Sequence, residues 1–96
     1  MNPKRENATM TQTQDELEKL VSMLLKAAQA EAMEMSADQR IGEDDAAKLL
    51  ALKKDTLRKA RQEGRGPKFS YAGVGKARVS YRLERLAEWL QSREVG

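Results

Sequence analysis

The sequence contains neither cysteine nor histidine. The absence of cysteine excludes disulfides and thiolate catalysis, and the absence of both residue types excludes the usual zinc sites and acid–base catalysis by histidine. No apolar run approaches the roughly 18 residues that a membrane-spanning helix needs, and no signal-peptide apolar region is visible. We therefore expect a cytoplasmic protein that uses no cofactor, no metal and no small-molecule ligand, and that does not contact a membrane.

Charge, in contrast, is abundant and unevenly placed. Charged residues make up 34% of the 96 residues, and the net charge is +3. Residues 1–40 hold five basic and seven acidic residues (net -2), whereas residues 41–96 hold thirteen and eight (net +5). Between Lys53 and Arg82 there are ten basic and two acidic residues, a net charge of +8. This density predicts a surface that binds phosphate groups, although RNA or an acidic protein would suit the same charge.

Residues 49–64 carry the most informative pattern, which predicts two helices joined by a tight turn. In the second helix, Leu57 and Ala60 lie three residues apart and turn inward, and Gly64 is a natural terminator. Its outward residues are Lys54, Arg58, Lys59 and Gln62. Leu52 fills the angle between the two helices, which is typical of a helix-turn-helix. The alternative is a plain helical hairpin whose basic face is only solvated.

The N-terminal part of the chain divides into a tail and a helix. Residues 1–12 are polar and lack periodicity, so we expect a disordered tail. Thr13 to Glu16 has the form of a capping box, which predicts an amphipathic helix over residues 13–36. The apolar stripe of this helix consists of Leu17, Leu20, Val21, Leu24 and Ala28. The stripe either forms a homodimer with its copy or docks on the following domain, and we favour the homodimer.

Residues 41–92 predict one small domain. Gly42 suits the N-cap of a helix that opens with three acids. Residues 68–72 and 77–81 alternate around a glycine-containing turn and predict a β-hairpin, and residues 83–92 predict a closing helix. The expected fold class is mainly α with a small β-hairpin, a winged helix-turn-helix preceded by a long N-terminal helix. The expected core is Ile41, Leu49, Leu50, Leu52, Leu57, Phe69, Tyr71, Val79, Tyr81, Leu86, Trp89 and Leu90.

Several short motifs resemble one family in their order and spacing. In chain order they are Ala46-Ala47-Lys48-Leu49-Leu50, Leu52, Thr56-Leu57, Gly64-Arg65-Gly66-Pro67, the glycine-containing wing and Leu86-Ala87-Glu88-Trp89-Leu90. Together they resemble the excisionase/AlpA branch of the MerR-like winged helix-turn-helix proteins over residues 41–90. The turn departs from the pattern: it reads Ala51-Leu52-Lys53 where the family has Gly-Val-Ser. Losing the serine N-cap costs about 1 kcal/mol unless Asp55 or Thr56 caps the helix instead.

The resemblance implies that the second helix enters the major groove of DNA and that the hairpin acts as a wing. Arg58 is then the candidate for a bidentate contact to guanine and Gln62 for adenine, while Asp55 accepts from cytosine or orients Arg58. Lys54 and Lys59 are presented to the major groove with them, and the candidates for phosphate contacts are Lys53, Lys59 and Arg61. Lys76 and Arg78 are the wing candidates, and Arg65 is a candidate for a backbone contact.

The expected function is sequence-specific binding of double-stranded DNA by a small transcription regulator of phage, plasmid or mobile-element type. Its expected location is the nucleoid of a prokaryotic cytoplasm. One alternative is an excisionase-like factor that bends DNA to direct recombination. Another is an adaptor whose helix-turn-helix binds a protein. No constellation of catalytic residues is visible, so we do not expect an enzyme.

Overall fold

A computed structural model of the chain describes residues 3–72 and 78–94, with the side chains of residues 14–71 and 78–94. Within these ranges the chain is mainly helical, with four helices and one three-stranded antiparallel sheet. The helices are α1 (Pro3–Ala30), α2 (Glu43–Leu49), α3 (Lys54–Gln62) and α4 (Leu83–Ser92). The strands are β1 (Arg40–Gly42), β2 (Ser70–Ala72) and β3 (Arg78–Arg82). The prediction of a mainly helical fold with a small antiparallel β element is confirmed.

The sheet contains one strand more than the sequence predicts. Its order is β1-β3-β2, so β3 is central and pairs with β2 in the expected hairpin. The additional strand β1 places Ile41 opposite Tyr81. This strand has only three residues, which are too few to show an alternating pattern in the sequence. The turn between β2 and β3 lies outside the described residues.

Helix α1 has different bounds from the predicted 13–36, because it begins at Pro3 and ends at Ala30. Residues 3–12, predicted to be disordered, are therefore helical. At the other end, Ala32 adopts a positive φ of 51°. The N–H of Ala32 donates to the carbonyl of Gln29 (3.1 Å), and that of Met33 donates to the carbonyl of Ala28 (3.0 Å). These two bonds form a Schellman motif, which ends the helix before residue 36.

The two helices of the predicted helix-turn-helix end in the same way. Ala51 follows α2 with a φ of 58°, and Gly64 follows α3 with a φ of 72°. The next N–H, from Leu52 or Arg65, donates back to the helix at 2.8 Å in both cases. Gly42 is the N-cap of α2, as predicted. The N-cap of α3 is Lys53, which makes no side-chain capping hydrogen bond, so neither Asp55 nor Thr56 takes the place of the serine cap.

One core joins α1 to the rest of the chain. The buried hydrophobic residues are Leu24, Ala28, Ile41, Ala46, Ala47, Leu50, Leu57, Tyr81, Leu83, Leu86 and Ala87. Helix α1 packs on α4 and α2, and the remaining residues of its apolar stripe are partly buried there. Within the chain, α1 therefore docks on the domain, which is the second of the two predicted alternatives. Leu24 and Ala28, two residues of the stripe that we favoured for a homodimer, are buried in this contact. Self-association through the rest of the stripe remains a prediction.

Two aromatic residues expected in the core are exposed. Phe69 and Tyr71 are 40% and 41% exposed, whereas Tyr81 is fully buried. The reason is their position: β2 is an edge strand of three residues, and the helices cover the sheet at β3 and β1 rather than at β2. The prediction that both belong to the core is wrong.

Candidate nucleic-acid interface

Helix α3 separates apolar and charged side chains onto opposite faces. Leu57 is fully buried and Ala60 is half-buried, whereas the outward residues are exposed. The exposed residues at the N-cap and along the helix are Lys53, Lys54, Asp55, Thr56, Arg58, Lys59 and Gln62. The burial of this helix follows the predicted periodicity of 3.6 residues. The arrangement offers four cations, one amide and one carboxylate on one side.

Arg58 and Asp55 form an ion pair on this exposed face, one helical turn apart. The NH2 group of Arg58 donates to a carboxylate oxygen of Asp55. Both side chains are more than half exposed, so the pair adds little to stability. Its effect is geometric, because it restricts the directions in which the guanidinium can point. Of the two predicted roles of Asp55, orientation of Arg58 is compatible with this contact.

The connection between α2 and α3 spans Leu50 to Lys53. Leu50 is buried and Leu52 is half-buried against the same core. Leu52 thus lies in the connection between α2 and α3 and packs against the core. The turn conformation rests on Ala51, the residue with the positive φ.

Arg61 is placed differently from the other basic residues of α3. Its guanidinium donates to both carboxylate oxygens of Glu43, at 2.6 and 3.2 Å, and both side chains are mostly buried. The hydroxyl of Tyr81 donates to the same carboxylate at 2.8 Å. A phosphate contact by Arg61 would compete with this network. The sequence contains the signal that we missed: Arg61 lies four residues after Leu57 and so shares its inward face.

The network has a consequence for the ionisation of its members. Burial alone would raise the pKa of Glu43, but the hydrogen bonds from Arg61 and Tyr81 outweigh it and bring that pKa below its ordinary value. Burial, together with the hydrogen bond to Glu43, raises the pKa of Tyr81. The carboxylate is therefore held in its charged form between a cation and a neutral phenol.

An aromatic pair lies beside this network. The guanidinium carbon of Arg61 is 5.6 Å from the centre of the Phe69 ring, within the range of a cation–π contact. Phe69 and Tyr71 meet edge to face with ring centres 5.6 Å apart. The pair flanks the C-terminal part of α3 and leaves both rings partly exposed.

The remaining predicted contacts lie around the hairpin. Arg78 is exposed at the first position of β3, and Lys76 lies outside the described residues. Arg65 is exposed and pairs with Glu63, while its backbone carbonyl accepts a hydrogen bond from the indole of Trp89 at 3.0 Å. The indole therefore anchors the loop after α3 to α4.

The chain matches no known protein-family model and no curated protein. Among the described residues, no helix combines the length and the apolar character that crossing a lipid bilayer requires. In the same part of the chain, the acidic side chains form no group of three that is placed to hold a metal ion.

Proposed function

We propose that this chain binds double-stranded DNA sequence-specifically, as a small transcription regulator of the phage, plasmid or mobile-element type. In this proposal α2 and α3 form a helix-turn-helix, and the β2–β3 hairpin is its wing. The observation that carries the proposal is the exposed face of α3, where four cations and one amide lie opposite the buried Leu57. An exposed helix of this composition fits the major groove, which admits one α-helix.

The base contacts are assigned to the residues in the middle and at the end of α3. Arg58 donates to O6 and N7 of guanine, and Gln62 pairs with adenine. The ion pair with Asp55 supports the first assignment, because a guanidinium with restricted orientation loses less entropy when it binds. Lys59 lies next to Arg58 on the exposed side and contacts a phosphate.

The N-terminus of α3 supports a phosphate contact in a second way. Its N-cap is Lys53, which is followed by Lys54, and no side chain satisfies the first N–H groups of the helix. Cations at the positive end of a helix dipole are unfavourable unless an anion is close by. A DNA phosphate would accept hydrogen bonds from these N–H groups and offset the charge of both lysines.

Arg61 and the wing have other roles in the proposal. Because Arg61 pairs with Glu43, it fixes α3 against α2 and β3 rather than binding a phosphate. Arg78 contacts the DNA backbone or the flanking minor groove from the wing, and Lys76 is expected to do the same. Arg65 adds a backbone contact after α3.

Selection from random duplexes tests this proposal most broadly. The full-length protein, with its mass measured in solution, is expected to enrich one short motif and to lose affinity as salt is raised. Lys19→Ala on α1 serves as the charge-matched control for cation losses on α3, because Lys19 is exposed on a different helix. Binding without enrichment of any motif would contradict sequence-specific recognition, and no binding would contradict the proposal as a whole.

One observation favours a second candidate, the protein-interaction adaptor. The exposed pair Phe69 and Tyr71 is the kind of aromatic surface that protein interfaces use. If this surface binds a protein and α3 does not bind DNA, Tyr71→Ala abolishes that complex, whereas added duplex does not compete with it. If the DNA-binding proposal is right, duplex DNA binds with micromolar or better affinity and with a strong dependence on salt.

A further inference from the structure

The sheet carries a second basic cluster, at the end of β3 opposite the predicted wing residue Arg78. Successive residues of a strand point to opposite faces, so Ile41 and Tyr81 turn toward the helices while Arg40 and Arg82 turn away. We call the face that carries Arg40 and Arg82 the outer face of the sheet. Arg61 of α3 meets the network of Tyr81, which belongs to the inner face.

Two arginines stand directly opposite each other on this outer face. Arg40 of β1 is the register partner of Arg82 of β3. Like charges at directly opposed positions of an antiparallel pair destabilise the sheet. Asp38 lies beside both of them, 2.9 Å from Arg40 and 3.7 Å from Arg82. One carboxylate therefore serves two guanidinium groups, which leaves this pair with a net positive charge.

Arg40 and Arg82 also border a surface hollow, and two further cations line it. One is Lys68, which precedes β2, and the other is Arg85, in the first turn of α4. Phe69 and Ser70 complete the lining. Arg85 pairs with Glu88 at 2.9 Å. The hollow thus gathers four cations around two carboxylates, and the side chains of Arg82 and Asp38 remain about half exposed.

From this arrangement we infer that the outer face of the sheet binds a second stretch of DNA phosphodiester backbone. Arg40 and Arg82 would hold one phosphate between them in the place that the Asp38 carboxylate now shares. Guanidinium groups suit this contact because their N–H groups match phosphate oxygens in pairs. Lys68 and Arg85 would contact the neighbouring phosphates.

The second stretch lies at the other end of β3 from the wing contact of Arg78, about 13 Å away for a rise of about 3.3 Å per residue. Either the duplex bound by α3 and Arg78 continues to this end of the sheet, or a second duplex binds there. The phosphate chemistry is common to both sources, and duplex length distinguishes them. The inference rests on the proposed function, since it assumes that α3 binds DNA.

The test measures affinity against salt for two duplexes, one of about one helical turn and one of about three turns. The double variant Arg40→Gln/Arg82→Gln should reduce the slope of log K against log[salt] on the long duplex by about 1, because the two arginines hold one phosphate and about 0.9 of a unit is lost per phosphate contact. Base preference should not change, because neither residue lies on α3. If the second stretch comes from the same duplex, the short duplex shows no such loss. If the second stretch belongs to another duplex, the wild-type protein binds two short duplexes and the double variant binds one.

A variant that is expected to tighten binding shows that the effect of the arginine substitutions is not caused by misfolding, because an unfolded protein cannot bind more tightly. Asp38→Asn removes the carboxylate that competes with phosphate, so it should tighten binding to the long duplex and increase the salt slope. Glu18→Gln on α1 changes the net charge by the same amount at an exposed position on α1, and it should leave both quantities nearly unchanged. Thermal unfolding of each variant confirms that the domain is folded.

The outcomes separate the two proposals. If the wild-type protein enriches a motif but the arginine variant and Asp38→Asn leave affinity and slope unchanged, the second surface is refuted and the function at α3 stands. If the wild-type protein binds no duplex, both are refuted. Opposite changes for the two variants, with an unchanged motif, support the second surface.

Discussion

Glu43 and Arg61 are joined by two hydrogen bonds, at 2.6 and 3.2 Å, that tie the first residue of α2 to the last turn of α3. Tyr81 adds β3 to the same carboxylate. The three elements of the proposed DNA-binding unit therefore meet at one side chain. The orientation of α3, and with it the direction in which Arg58 and Gln62 point, depends on this contact.

The first prediction concerns the contribution of this carboxylate to stability. Glu43→Gln keeps the size of the side chain but removes the charge, so Arg61 loses its partner in a mostly buried site. We expect the free energy of unfolding to fall by about 1–3 kcal/mol, measured by urea titration. Asp44→Asn is the matched control, because Asp44 lies in the first turn of the same helix but is exposed. Equal effects of the two variants would show that the network contributes nothing specific.

The same network predicts a dependence of stability on pH. The pKa of Glu43 in the folded protein lies below its ordinary value of 4.5. Its contribution is therefore fully present above pH 4.5 and is lost as the pH falls through the folded pKa. The difference in unfolding free energy between the wild type and Glu43→Gln should be constant near neutral pH and shrink under acid conditions. A difference that is the same at pH 3 and pH 7 would contradict the ionised pair.

Ala51 predicts a stabilising substitution. A non-glycine residue at positive φ is strained, and Ala51 is exposed, so a glycine there loses no packing. Ala51→Gly should raise the free energy of unfolding by about 1 kcal/mol. Gly64→Ala should lower it by a similar amount, because Gly64 has the same conformation and no atom near an added Cβ. Destabilisation by Ala51→Gly would show that α2 does not end in the left-handed conformation.

Neighbouring residues of α1 test how this helix packs. Leu24 is 6% exposed within the core, whereas Met23 is 64% exposed. Leu24→Ala should lower the unfolding free energy by about 2–5 kcal/mol, and Met23→Ala should change it by less than about 0.5 kcal/mol. Denaturation at several protein concentrations separates docking from self-association, since only a dimer gives a midpoint that rises with concentration. Equal effects of Leu24→Ala and Met23→Ala would argue against packing of α1 on the domain.

The parts of the fold that are visible in the sequence are those encoded by local patterns. Helix α4 has the predicted bounds, Gly42 caps α2, and α3 buries Leu57 while exposing Arg58. Each of these features follows from residues a few positions apart. The hairpin was predictable for the same reason, because its two strands alternate on either side of a glycine-containing turn.

The features that sequence analysis missed depend on contacts between distant residues or on strained backbone. The end of α1 requires an alanine, Ala32, at a positive φ that alanine seldom adopts, so the sequence carries no stop signal there. The pairing of Arg61 with Glu43 could not be predicted, because the two residues are 18 positions apart in the chain. The four-residue spacing between Leu57 and Arg61 is the one local feature that places Arg61 on the inward face. The exposure of Phe69 and Tyr71 follows from the shortness of β2 and the position of the helices, which no periodicity reveals.

The central claim is that α3 reads bases, and Arg58→Ala tests it most directly. Once selection has given the preferred duplex, affinity is measured for that duplex and for one with the guanine replaced, using wild type, Arg58→Ala and the Lys19→Ala control. The account predicts that Arg58→Ala weakens binding to the preferred duplex by about 1–3 kcal/mol and abolishes discrimination at that base pair, whereas Lys19→Ala does neither. If Arg58→Ala keeps both the affinity and the preference of the wild type, α3 does not lie in the major groove as proposed.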